Sequence, residues 1–84
     1  MTPVRATGAT SSHLVRGVGH HDHTEYLTDD GTRVVVAAYR GRTDPLRVTW
    51  WTPDGQRHEI QARADTHRFA LACAGFVLTD NVNS

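Results

Sequence analysis

The chain contains no lysine: all of its 9 basic residues are arginine, and they are matched by 9 acids, so the formal charge is zero. That balance excludes a whole-molecule electrostatic attraction to nucleic acid or to an anionic membrane. Cysteine occurs once, at Cys73. A disulfide framework within the chain is therefore impossible, and the usage fits a reducing compartment. No apolar run approaches the roughly 18 residues that span a bilayer, and the N-terminus lacks the charged and apolar regions of a signal peptide. The expectation is a protein of the cytoplasm, or of a virion, with no membrane contact. Motifs of catalysis are also missing: there is no C-x-x-C, H-E-x-x-H or G-x-S-x-G pattern. A chain of 84 residues without such a signature is expected to be a single domain, not an enzyme, with no cofactor. The exclusive arginine usage, with abundant Ala, Val, Gly, Thr and Asp, points to a high-GC bacterial genome or one of its phages. That inference concerns codons and not chemistry. The small size fits an accessory or assembly protein of a phage or mobile element.

What is present is hairpin chemistry. In the stretch 47–62, Thr52-Pro53-Asp54-Gly55-Gln56 is a turn, because proline presets φ, aspartate suits the next position and glycine takes the left-handed one. Counting outward pairs Trp51 with Arg57, Trp50 with His58 and Val48 with Ile60. Val48, Trp50, His58 and Ile60 then share a core face. Arg47, Thr49, Trp51, Arg57, Glu59 and Gln61 share the other, where Arg57 can cover the Trp51 ring.

Thr28-Asp29-Asp30-Gly31-Thr32 repeats this turn 24 residues earlier, pairing Tyr26 with Val34 and Leu27 with Arg33. The strand after it, 33–40, is apolar on both sides: Val34, Val36 and Ala38 point one way, and Val35, Ala37 and Tyr39 the other. It expects cover on both faces. A loop is expected over 41–45.

Residues 1–19 show no period and carry only Arg5 and Arg16 as charged side chains, which predicts an extended or flexible arm. The domain proper is expected over 20–79, with a tail at 80–84. At 65–74 a helix capped by Asp65, with Phe69, Ala72 and Cys73 on its apolar side and Gly75 ending it, competes with a strand reading. The alanines favour the helix. Phe76 to Thr79 can add an edge strand. The fold class is α+β: a four-stranded antiparallel meander of two Asp-Gly hairpins with one short C-terminal helix, or all-β if the helix fails.

Candidate ligands for a metal are His20, His21 and His23 with Asp22, to which His13, His58 or His67 could add for zinc or nickel, yet neighbours in an extended segment point to opposite sides, so at most two of the four converge. No bound metal is expected. Ser11, Ser12 and Cys73 lack the surroundings of nucleophiles; Cys73 reads as a small core residue and His58 as packed on Trp50. Arg33, Tyr39, Arg47, Trp51 and Arg57 are the candidate binding residues. The middle of the chain is locally basic, with seven arginines (33, 40, 42, 47, 57, 63, 68) against Asp44, Asp54, Glu59 and Asp65.

Residues Arg47 to Arg57 with the Asp65-Thr66 helix start resemble the arm-type DNA-binding domain of phage-type tyrosine recombinases, a three-stranded sheet plus helix. Glu59 and Gln61 stand where that family carries basic residues. The resemblance implies a sheet face entering the major groove of duplex DNA. The residues themselves argue first for a small assembly or binding protein that meets a protein partner, or its own copies, through the Trp/Arg face.

Overall fold

The computed structural model describes residues 1–17, 19–39 and 45–79. It contains β1 (Thr2–Val15), β2 (Gly19–Thr28), β3 (Arg33–Tyr39), β4 (Leu46–Trp51), β5 (Arg57–Ala62), α1 (His67–Cys73) and β6 (Phe76–Leu78). All strands belong to one curled sheet of order β5-β4-β3-β2-β1-β6. Every neighbouring pair is antiparallel except β1 and β6, which run parallel. The expected four-stranded antiparallel meander is thus β2 to β5, and the whole is a mixed sheet of six. The expected loop falls outside the described residues apart from Pro45, and the tail at 80–84 lies wholly outside them.

The hairpins form as their turn chemistry requires. Thr28 and Thr52 each donate a backbone N–H to the carbonyl four residues on, at Thr32 (3.0 Å) and Gln56 (2.9 Å). Gly31 and Gly55 take the left-handed φ of +93° and +92° that the third loop position needs. Asp30 and Asp54 accept from the hydroxyls of Thr28 and Thr52 and from the amides of Thr32 and Gln56. Those bonds, the threonine hydroxyls first, hold both carboxyls below the usual aspartate range. Register follows: Trp51 faces Arg57, Trp50 faces His58, and Tyr26 faces Val34.

One face of the sheet carries the core. Val4, Tyr26, Val34, Val36, Leu46 and Val48 are buried there beneath Ala70 and Leu71 of α1 and Phe76 of β6. The helix is capped by Thr66 and not by Asp65: the Thr66 hydroxyl accepts from the Phe69 amide at 3.2 Å. It ends at Ala74 with Gly75 at φ +91°, as a left-handed glycine cap does. Its buried side is also different from the expected one. Ala70 and Leu71 are buried with His67 and Ala74 partly so, while Phe69, Ala72 and Cys73 are exposed. Positions 67, 70, 71 and 74 are one helical stripe, and Trp50 and Phe76 already pack there edge to face at 5.4 Å. Ala70 is fully buried on that side, while Phe69 is turned to solvent.

Residues 2–15, expected as an arm, make the longest strand. They join the two chain ends: the Thr2 amide donates to Gly75 O at 2.9 Å, and the Thr79 amide to Val4 O at 2.8 Å. Only Val4 of β1 is buried. Main-chain pairing needs no side-chain period, and for this reason β1 left no alternation to read.

Candidate functional site

The face away from α1 gathers the side chains that alternate with the core set. At one end Trp51 is half-buried, and the Arg33 guanidinium lies 4.8 Å from its ring centre. Arg33 is the residue directly opposite Trp51 in the β3–β4 register. It also bonds the Glu25 carboxylate, whose second oxygen accepts from Thr7 at 3.0 Å. These bonds, Arg33 first, keep the Glu25 carboxyl below its ordinary range. The ring is therefore covered by Arg33, not by Arg57 as expected. Arg57 binds Glu59, two residues along its own strand, at 2.5 Å.

At the other end four rings form a row. Tyr39 stacks on His21 with centres 4.4 Å apart and planes at 13°. His21 meets His23 edge-on at 4.5 Å, and His23 meets His13 of β1 at 5.4 Å. His23 Nε2 is 3.4 Å from His21 Nδ1, and Arg47 Nη2 is 3.5 Å from His21 Nε2. With Arg47 donating to Nε2, the proton of His21 sits on Nδ1 and is donated to His23. Burial, above all, lowers the pKa of both imidazoles; next come the charge of His23 for His21 and that of His13 for His23.

Between the two ends Val35, Ala37 and Thr49 are buried, although among the described elements only α1 packs on the sheet, on the opposite face. Flanking side chains shield this floor, and depressions remain among the described residues. One of about 110 Å³ is bounded by His23, Glu25, Arg33 and Val35. Another, of about 260 Å³, is bounded by His21, Ala37, Tyr39, Pro45, Arg47 and Gln61.

Of the candidate binding residues, Arg33 meets Trp51, Arg47 and Tyr39 converge on His21, and Arg57 stands aside on β5 with Glu59. Of the candidate metal ligands, His21 and His23 come together while His20 projects from the opposite side of β2. Glu25, not among the candidates, completes the face together with His13, one of three further histidines that could join the cluster. Only the β1–β2 register places His13 opposite His21 and so singles it out from His58 and His67. Cys73 is exposed on α1, not a core residue, and His58 is stacked on Trp50 at 5.3 Å but exposed.

On the core face the hydroxyl of Tyr26 and Nδ1 of His67 are 2.8 Å apart. Burial lowers the His67 pKa and raises that of Tyr26. A histidine whose folded pKa lies below the unfolded value of 6.5 costs nothing while both states are neutral. It destabilises as pH falls through that value, because the unfolded chain binds the proton more tightly. The melting temperature is expected to fall from pH 7 toward pH 5, and His67→Gln to flatten that fall. An unchanged slope in His67→Gln would show that His67 takes no part.

No protein-family model, curated protein or solved structure matches the chain.

Proposed function

We propose that the chain is a small non-enzymatic binding module that meets a protein partner, or further copies of itself, through the Trp51 face. The observation that carries this reading is a half-buried tryptophan under an arginine, beside a buried apolar floor, on a sheet face that no described element covers. Trp, Tyr and Arg are the residue types that dominate interface energetics, and a surrounding ring of polar groups excludes water from them. The charges favour protein over nucleic acid. Arg33 and Arg57 are each matched by a carboxylate on the same face, Glu25 and Glu59, so a phosphate backbone would have to displace existing partners. A role in assembly for a phage or mobile element of a high-GC bacterium is consistent with the exclusive arginine usage.

The test is Trp51→Ala followed by light scattering, pull-down and a thermal melt. Association is expected to weaken by about 2 kcal/mol, roughly thirtyfold in Kd, with the melting temperature nearly unchanged. Unaltered association with a lowered melting temperature would assign Trp51 to the stability of the monomer. Retardation of duplex DNA, falling steeply with salt and weakened in Arg47→Ala, would replace this reading with sheet-mediated DNA binding of the kind implied by the recombinase-arm resemblance.

A further inference from the structure

We propose that His13, His21 and His23 form a binding site for one divalent transition-metal ion of the zinc type, with two imidazoles from β2 and the third from β1. The site needs no partner and does not rest on the binding-module reading.

Alternation along β2 puts His21 and His23 on one side, two residues apart, and the antiparallel register sets His13 directly opposite His21. This arrangement supplies three imidazoles at the corners of a triangle on two adjacent strands. The distances fit a common ion. Two nitrogens bound to zinc at 2.0–2.1 Å and a tetrahedral angle lie about 3.4 Å apart; His21 Nδ1 and His23 Nε2 are separated by 3.4 Å. The same geometry sets the ring centres of two ligands about 5 Å apart, and those of His13 and His23 are 5.4 Å apart.

Among the described residues no three ligating side chains surround one point as they stand. The His21–His23 pair already has the spacing for an ion, but the hydrogen bond aims each nitrogen at the other, so both rings must tilt toward a common point while His13 turns its ring inward. His13 is exposed, so a rotamer change there meets no packed neighbour and costs little. Imidazole nitrogen suits zinc, nickel and copper, whereas magnesium and calcium demand oxygen. Three nitrogens leave a coordination position open to water.

Arg47 opposes the ion. In the metal-free form His21 carries its proton on Nδ1 and accepts from Arg47 at Nε2. Binding an ion at Nδ1 moves that proton to Nε2, where two donors then face each other, next to a second positive charge. Removing the guanidinium should therefore tighten binding.

The experiment is calorimetric titration of the untagged chain with zinc chloride, repeated with cobalt chloride so that the visible spectrum reports the coordination geometry. One equivalent per chain and a tetrahedral cobalt spectrum are expected. His13→Gln, His21→Gln and His23→Gln should each weaken zinc binding at least tenfold, since loss of even a supporting outer group costs about 10–100-fold. His20→Gln on the opposite side should leave the affinity unchanged, Arg47→Met should increase it, and Trp51→Ala should not alter it. Circular dichroism establishes that each variant is folded. His21 is buried, so the exposed His13 and half-buried His23 carry the decision if His21→Gln unfolds. No binding by the wild-type chain, a loss in His20→Gln equal to that in His23→Gln, or wild-type affinity in His13→Gln would overturn the proposal.

Discussion

Leu71→Ala is expected to lower the stability of the folded chain by about 3 kcal/mol, within the usual range for truncating a buried leucine. Leu71 is fully buried and is the largest side chain that α1 inserts between the helix and the sheet. Its neighbours come from separate parts of the chain: Val4 near the start, Val34 and Val48 in the two hairpins, and Phe76 beyond the helix. A cavity there cannot be closed by shifting one element. At about 4–8 °C per kcal/mol for a domain of this size, the melting temperature should drop by roughly 12–24 °C. Phe69 is the control. It is two residues away on the same helix but 63% exposed, so Phe69→Ala should stay within about 0.5 kcal/mol of the wild type. Equal losses in the two variants would mean that the helix packs through a different face.

Trp50→Ala should be comparably damaging, at about 3 kcal/mol, toward the lower end for a truncated aromatic because Trp50 is only partly buried. Its indole stacks on His58 with planes at 17° and meets Phe76 edge-on, bridging the second hairpin to the segment after the helix. Trp51, its neighbour in the chain, projects to the other face and touches none of these groups. The pair therefore separates fold from binding. Trp50→Ala is expected to lose melting temperature while keeping, well below its melt, the association and zinc affinity of the wild type. Trp51→Ala is expected to do the reverse with respect to association. The measurement is a thermal melt of each variant beside light scattering at low temperature. A larger loss of stability in Trp51→Ala than in Trp50→Ala would place the structural core on the outer face and remove the basis for an interaction surface there.

Much of the candidate face was legible before any coordinates. The Asp-Gly turns set Trp51 and Arg33 on one side and Trp50, Val34 and Val48 on the other, because a closed turn fixes register and a period of two fixes sides. The partner of Trp51 was misread because its own hairpin offers Arg57, while the nearer cation belongs to the hairpin before it. Which strand lies alongside β4 is a question of long-range pairing. Phe69 and Cys73 were misassigned for a related reason. Short helices rich in alanine have two plausible apolar sides, and the sheet beneath decides between them.

The two hairpins, their register and the sorting of their side chains into two faces are determined by the sequence alone, since each depends on residues within a few positions of one another. The tertiary structure decided everything that depends on residues far apart. It pairs Thr2 with Phe76 to make a parallel edge and turns the unpatterned segment 2–15 into the strand that joins β2 to β6. It brings His13 against His21 and His23. Main-chain hydrogen bonds make those pairings and are blind to side-chain type. No local pattern could announce them; the packing of Val4, Leu71 and Phe76 into one core holds them in place.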